Sequence, residues 1–459
     1  MKLGSSVHFV GISGIGMSAL ARVLLARGYR VSGSSDRATA LTEKLRDEGA
    51  SIAIGHDARH LGDAKTVVVS SAIDADNPEV RAAHGRGLEV VRRGALLALL
   101  MGERRGIAIA GTHGKTTTTA MLAAVLEAGR LDPTVVVGGE RSDTGSNARD
   151  GAGEWFLAES DESDGSFLDL HPEIGVVTNV ENDHVASNAE FEHLVASFGT
   201  FLANIPAHGL ALVGVDEARG AALAAQTRAA RTRTYGLSAT AGLTARAISF
   251  SGFGSSCTLA LDGKTLGELR LVVPGAINVR NALPAVAVGL ELGLSFGTIA
   301  AALATFTGVR RRFEILARTP RMTVVDDYAH HPTAVAATIE AARAGCSGAL
   351  IVAFQPHRYT RTAYLATEFA QALQRADRVI LTGVYAASER PIDGVDARSI
   401  GEPLRALGAD VGYVEVEALP AHLLATVPEG SLVLFLGAGS ITGAAAALAL
   451  DVGRGAAVS

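Results

Sequence analysis

At 459 residues the chain has length for about three domains, and 48% hydrophobic with 19% charged residues exclude a disordered polymer and a bulk membrane protein. The balance of 41 Lys+Arg against 47 Asp+Glu leaves a net charge of −6, which argues against a nucleic-acid binder, because releasing counterions from a phosphate backbone needs a basic surplus. Anionic ligands must then meet local basic sites. Cys257 and Cys346 stand far apart with no C-x-x-C pair, which weighs against a disulfide framework and a thiolate zinc centre. Val7–Val10 runs straight into glycines, unlike a signal peptide, and no run of about 18 apolar residues occurs. The expectation is a soluble cytoplasmic protein, monomer or homodimer, with no nucleic-acid or membrane partner.

Along the chain, short apolar runs alternate with helical patterns, the mark of parallel α/β architecture. Strands are predicted at Val7–Val10, Val67–Ser70, Ile107–Ala110, Thr134–Val137, Trp155–Ala158, Ile174–Thr178, Thr323–Asp326, Leu350–Phe354, Val379–Thr382 and Leu432–Leu436. Helices such as Met17–Arg27, Thr117–Glu127 and Thr367–Leu373 fall between them. Val67-Val68-Val69 is apolar at every position, as expected of a strand covered on both faces. The rhythm breaks at Gly102-Glu103-Arg104-Arg105-Gly106 and near Gly308–Glu314, which divides the chain into domains at 1–104, 105–312 and 313–459. Residues 230–275 alternate around Leu259, Leu261, Leu266, Leu269 and Leu271 and read as an antiparallel addition to the middle domain.

Two glycine loops follow predicted strands. Gly11-Ile12-Ser13-Gly14-Ile15-Gly16 leads to Ala19 in the dinucleotide pattern, where glycines let backbone N–H groups approach a pyrophosphate at a helix N-terminus. Asp36 lies 20 residues beyond Gly16, where an NAD-binding fold has its ribose acceptor. The same physics serves any diphosphate, so NAD, a UDP-sugar and a plain strand–helix turn all remain open. The second loop, Gly111-Thr112-His113-Gly114-Lys115-Thr116-Thr117, is more specific. Its amides can cradle β- and γ-phosphates, Lys115 can neutralise developing charge, and the Thr116 hydroxyl can hold Mg²⁺. It is shorter than the usual P-loop, since Ile109 stands where that pattern has its first glycine. Lys115 is also one of five lysines beside 36 arginines.

Glu159-Ser160-Asp161-Glu162-Ser163-Asp164 follows a predicted strand, and carboxylates there suit Mg²⁺, which prefers hard oxygen ligands. His184 follows the strand Ile174–Thr178, at the strand end where α/β ligands gather, and reads as a metal or substrate contact. Asp326-Asp327-Tyr328-Ala329-His330-His331-Pro332-Thr333 and Gln355-Pro356-His357-Arg358-Tyr359-Thr360-Arg361 each follow a strand and cluster His and Arg suited to carboxylate and phosphate.

Those two segments, with Gly111–Thr117 and Glu159–Asp164, resemble in order the motifs of the Mur ligases of peptidoglycan synthesis. The resemblance implies an α/β chain of three domains: a Rossmann-like N-terminal domain for a UDP-sugar, a central P-loop-type ATPase domain with a mostly parallel sheet, and a C-terminal Rossmann-like domain for the amino acid. It implies ATP-dependent ligation of L-alanine to UDP-N-acetylmuramate through an acyl phosphate, with Mg²⁺. By the same resemblance Gly111, Thr112, His113, Gly114, Lys115, Thr116 and Thr117 bind the triphosphate, with Asn278 and Asn281 on the adenine side. Thr116, Glu159 and His184 hold metal. Tyr328, His330, Arg358 and Arg361 surround the amino acid, and Gly11, Gly14, Gly16, Ser70 and Ser71 the UDP end. The catalytic set is Lys115, Glu159, His184 and His330. The chain departs from the family at Ile277, at Val185–Asn188 and in an extra serine within Ser32–Asp36, none of which removes a phosphate or metal group. Other members use a carbamylated lysine near the second metal, but no lysine lies between Lys115 and Lys264. A ligase that attaches a preformed peptide to the same sugar, and an NAD-dependent oxidoreductase, are the alternatives.

Overall fold

The computed structural model describes residues 3–162, 164–182, 188–227 and 231–456, and its strands form three sheets. The first is parallel: β1 (Ser6–Val10), β2 (Arg30–Ser35), β3 (Ser51–Ile54), β4 (Thr66–Val69) and β5 (Glu89–Arg92), in the order β3-β2-β1-β4-β5. Strand order reverses between β1 and β4, so a crevice opens beyond their C-terminal ends, where open α/β sheets bind ligands. β1 is buried along its length, and Val67 and Val68 of β4 are wholly buried, as two-sided cover requires. β2, Arg30-Val-Ser-Gly-Ser-Ser35, was not predicted because it has one aliphatic residue. Its buried serines are satisfied by hydrogen bonds, Ser34 Oγ donating to Glu79 and Ser35 Oγ to Ser13 and to the Arg37 carbonyl.

The second sheet contains β6 (Arg105–Ala110), β7 (Thr134–Val136), β8 (Ala148–Arg149), β9 (Trp155–Glu159), β10 (Ile174–Val177), β11 (Leu210–Gly214) and β12 (Thr232–Gly236). They lie in the order β12-β11-β10-β6-β9-β7-β8 and are parallel apart from the two-residue β8. After them β13 (Leu243–Ser251), β14 (Gly254–Leu261) and β15 (Lys264–Leu271) are joined by two-residue turns, which only antiparallel neighbours allow. The β-rich reading of 230–275 holds, but the expected antiparallel addition is only partly so, because β12 inside it pairs in parallel with both β11 and β13.

The third sheet contains β16 (Glu314–Arg318), β17 (Met322–Asp327), β18 (Leu350–Phe354), β19 (Arg378–Leu381), β20 (Val411–Tyr413) and β21 (Ser431–Leu436), in the order β16-β17-β21-β18-β19-β20. It is parallel but for β16. Alternate residues feed two cores. Val325, Val352 and Leu434 pack with Val335, Ile339 and Phe369, while Val324, Ile351 and Val433 pack with Leu419, Leu423 and Ile441.

The three sheets fall into two compact units. One holds Met1–Arg246, Leu259–Gly267 and Asn281–Leu303; the other holds Ala247–Thr258, Glu268–Arg280 and Ala304–Ser459. The first sheet and β6–β12 of the second share a unit because one apolar core runs through both, joining Phe9 and Val68 to Ala108, Phe156 and Phe198. Leu96, Leu97, Leu100 and Met101 of the helix Arg93–Met101 belong to that core, and each such side chain contributes about 1.5–3 kcal/mol on burial. Ion pairs add to it, Arg27 Nε with Asp150 at 3.0 Å and Arg93 with Asp164 at 2.8 Å.

Beneath the first glycine loop lies a buried polar cluster. Glu79, fully buried, accepts from Ser34 Oγ at 2.6 Å and from the Asp57 N–H at 3.2 Å, and faces His8, His56 and His60 at 3.4, 3.5 and 3.0 Å. Burial pushes its carboxyl up, but bonds from His8, Ser34 and the Asp57 N–H outweigh burial and hold the pKa at about 2 against an ordinary 4.5. A folded value below the unfolded one stabilises the protein above pH 4.5, and that contribution is lost as pH falls toward about 2. Glu79→Gln is expected to cost about 2–3 kcal/mol at pH 7, with a smaller deficit at about pH 3. Urea midpoints at the two pH values check this, and an equal deficit at both would contradict it.

Candidate active site

The order β10-β6-β9 brings three strand ends side by side, and the chain after each carries the chemistry. β6 ends in the turn Gly111–Gly114, and the helix Lys115–Ala128 starts at once. Gly111 at φ 125° and Gly114 at φ 81° occupy backbone conformations that side chains resist. Each is also closely covered: a Cβ at Gly111 would lie 2.8 Å from the Thr178 backbone N, and one at Gly114 would overlap the Asn281 amide. Asn179, just past β10, holds the turn from the other side. Its Oδ1 accepts from the His113 N–H at 2.9 Å, its Nδ2 donates to the His113 carbonyl at 3.0 Å, and its own carbonyl accepts from Thr112 N–H at 3.1 Å. Thr112 Oγ1 accepts from the Glu181 N–H at 2.9 Å, and His113 Nε2 lies 3.6 Å from Glu181. Thr117 is buried in the first turn of the helix.

Lys115 folds back over this turn. Its Nζ donates to the Gly111 carbonyl, to the Thr112 carbonyl at 3.1 Å and to Glu162 Oε2 at 2.7 Å. Burial pushes the Glu162 carboxyl up, and the Lys115 ammonium opposes it. Thr116 Oγ1 donates to Glu159 Oε1 at 3.2 Å, and Glu159 Oε2 accepts from the Gly138 N–H at 2.9 Å. A hydroxyl and a carboxylate this close offer the hard oxygens Mg²⁺ prefers, and a covered glycine turn capped by an ammonium fits a polyphosphate, so the residues suit both groups. His184 and the departures Val185, Ala186 and Ser187 lie outside the described residues, as does Ser163.

The first loop lies at the switch point of its own sheet. Gly11 and Ile12 donate to the Ser34 carbonyl at 3.0 and 2.9 Å, Gly14 N–H donates to the Gly11 carbonyl at 3.1 Å, and the helix Ile15–Ala26 begins there. A Cβ on Gly11 would sit 3.7 Å from Ser70, so the two expected UDP-side segments meet, with Ser71 exposed beside them. Gly16 lies against Arg93.

The other unit gathers a second cluster at the ends of β17, β18 and β19. Tyr328 and His330 meet edge to face at 5.1 Å, His330 and His357 at 5.4 Å, and His357 stacks on Tyr385 at 5.6 Å. Buried Arg361 has Nη1 3.3 Å from His357 Nδ1, and the Arg311 and Arg312 guanidinium groups each lie 4.9 Å from the Tyr328 ring. Arg358 is exposed at φ 70°, and its charge acts on Glu389, outside the ring stack. Asp327 anchors the Tyr328 loop by accepting from the Phe313 and Ala329 N–H groups, both at 2.7 Å. Burial raises its pKa to about 6 despite the Arg312 charge and those bonds. Asn278 donates to the Pro274 carbonyl at 2.8 Å, and Asn281 packs on Gly114.

Asn179 and Tyr385, which the structure adds to these clusters, were not singled out from the sequence, and Glu162 and His357 were read only as members of their motifs. Glu162 stood inside the acidic run, Asn179 at the predicted end of β10 and His357 in a quoted motif, so a signal existed for three of them. Tyr385 had none, because its place depends on β19 lying beside β18.

Three family models match the chain: Mur ligase family, catalytic domain, over residues 6–105; Mur ligase middle domain, over 109–289; and Mur ligase, glutamate ligase domain, over 311–439. The chain is 47% identical over 438 residues to the UDP-N-acetylmuramate–L-alanine ligase of Syntrophotalea carbinolica and 46% over 437 residues to that of Geotalea uraniireducens, covering 95% of each chain in both pairs. Among solved structures it is similar to the UDP-N-acetylmuramate–alanine ligase of Thermotoga maritima, with a TM-score of 0.85, 31% identity and coverage of 98% and 99%. It shares its fold with a murein peptide ligase from Psychrobacter arcticus, with a TM-score of 0.74, 23% identity and the same coverages.

If the β6 turn is a phosphate cradle, Lys115→Ala should lower ATP-dependent phosphate release by about 10²–10³-fold, as the loss of one preorganised charge-stabilising donor does. Steady-state phosphate release measures it, and unchanged turnover would remove Lys115 from the phosphate site.

Proposed function

This chain belongs to the Mur ligase family, and we propose that it joins L-alanine to the lactyl carboxylate of UDP-N-acetylmuramate at the expense of ATP, an amide-forming step of peptidoglycan synthesis. The observation that carries the reading is the β6 turn, where the Lys115 ammonium, two glycines and the Thr116–Glu159 pair converge. A reaction that consumes ATP and a nucleotide sugar belongs in the cytoplasm, and no helix among the described residues is long and apolar enough to cross a membrane.

The sugar carboxylate is a poor electrophile, and transfer of the ATP γ-phosphoryl group to one of its oxygens, with release of ADP, makes it an acyl phosphate. Attack brings two anions together, so the task is electrostatic and positional. The Gly111–Gly114 amides hold the phosphates, and Lys115 exchanges its Glu162 partner for the transferring group. Thr116, Glu159 and His184 are the residues of this reading that would hold Mg²⁺, which when bound would supply charge neutralisation. The alanine nitrogen, after losing its proton, then attacks the acyl carbon and expels phosphate. Arg361 serves the alanine carboxylate, with Tyr328, His330 and Arg358 around it, and His330 and His184 are the candidate bases. The first glycine loop and Ser70–Ser71 serve the UDP diphosphate. An NAD-dependent oxidoreductase would leave the β6 cradle and its carboxylates without a role.

Phosphate release from ATP in the presence of UDP-N-acetylmuramate, with and without L-alanine, tests the reading, and a preference for tripeptide over L-alanine would favour the peptide-attaching alternative. Arg361→Ala is expected to raise the KM for alanine by about 10–100-fold, the worth of a charge-assisted hydrogen bond, with the KM for ATP little changed. A defect confined to ATP would contradict the assignment.

A further inference from the structure

Asn147 belongs to the middle sheet, immediately before β8, yet its side chain is spent on the first glycine loop. It is fully buried. Its Nδ2 donates to the Ile15 carbonyl at 2.7 Å and to Ser18 Oγ at 3.0 Å, and its Oδ1 accepts from Arg22 Nη1. The orientation of the amide follows from its partners, because a carbonyl can only accept and a guanidinium can only donate. Arg22 is itself fastened, its Nε paired with Glu48 at 2.8 Å. Ser18 Oγ donates to the same Ile15 carbonyl at 2.9 Å. Ile15 is the first residue of the helix that the Gly11–Gly14 turn opens, so this amide sets where that first turn lies.

The backbone of Asn147 faces the other way. Its carbonyl accepts from the Val137 N–H at 2.8 Å, and the next residue, Gly138, donates its N–H to Glu159 Oε2 at 2.9 Å. Glu159 Oε1 in turn accepts from Thr116. One unbroken run of hydrogen bonds and peptide units therefore links the loop proposed for the UDP diphosphate to the carboxylate proposed for the ATP metal, entirely within one compact unit. A Cβ on Gly138 would lie on the Glu159 carboxylate, so the backbone of this run passes close against that group.

We infer that Asn147 is a positioning residue that couples the two phosphate-binding loops, so that occupancy of the Glu159 end strengthens sugar-nucleotide binding at the Ile15 end, and by linkage the reverse. The inference rests on the ligase reading for the identity of the two ligands. Asn147 itself touches neither.

Calorimetry tests it on the full chain, measuring the Kd of UDP-N-acetylmuramate with and without Mg²⁺ and a non-hydrolysable ATP analogue. The wild type should bind the sugar nucleotide about 5-fold or more tightly when the analogue is present. Asn147→Asp, which turns the donor toward Ile15 into an acceptor, and Asn147→Ala should both bring that ratio close to one, while the Kd of the analogue alone changes less than about 2-fold. Arg27→Ala cuts a neighbouring ion pair of the same unit and should keep the wild-type ratio. A wild-type ratio of one, a ratio retained in both Asn147 variants, or an equal loss in Arg27→Ala each overturns the coupling role. A wild-type chain that binds no UDP-N-acetylmuramate overturns the ligase reading as well, whereas binding without coupling overturns this inference alone.

Discussion

The glycine turn before Lys115 must be held open from outside, and that need governs how the middle of the chain is built. The turn takes its shape from the strand on one side, from Asn179 on the other and from the Thr112 hydroxyl, which meets the Glu181 backbone. Both hydrogen-bonding ends of the Asn179 amide are used on His113. Glu162 then supplies a counter-charge that keeps the ammonium aimed across the turn instead of outward, at the cost of a carboxylate that burial would prefer neutral. A lysine on a flexible stem suits this duty better than arginine, because a compact cation can leave one anionic partner for another without breaking a bidentate fork. In a chain that uses arginine almost everywhere else, that explains why this position differs.

The shared core of the first two sheets has a functional meaning. Phosphoryl transfer to a carboxylate is sensitive to misplacement by an ångström, so the loops proposed to hold the two anions would benefit from a common rigid frame. The apolar core through Phe9, Leu97 and Phe156 supplies it, and the polar tie through Asn147 fixes its register at the first glycine loop. Hydrophobic burial gives cohesion without direction, whereas the amide of Asn147 has one orientation that satisfies its partners.

The residues assigned to the amino acid follow another logic. Tyr328, His330, His357 and Tyr385 form a stack of rings beside Arg361, a wall of apolar faces next to one cationic fork. That combination suits a ligand with a carboxylate and little else. Asp327 serves the backbone of this arrangement. It ties two backbone N–H groups so that the loop bearing Tyr328 leaves β17 at a defined angle.

The sequence by itself determined the parallel α/β class, the positions of most buried strands and the glycine turn before Lys115: Gly111, Gly114, Lys115 and Thr116 carry the signature of a phosphate turn because its shape depends on backbone geometry within a few residues. Glu159 was legible for the same reason, at the end of an apolar strand. The polar β2 was not, since its serines become strand residues only when Glu79 and Ser13 are there to satisfy them. Nor were the partnerships of Glu162 with Lys115, Asn179 with the turn, or Asn147 with Ile15, which lie 47, 66 and 132 residues apart. Those pairings follow from strand order, which places β10 and β9 on either side of β6 and β8 at the sheet's edge. Periodicity reports which face of an element is buried, but not which element covers it, and only the tertiary structure decides that.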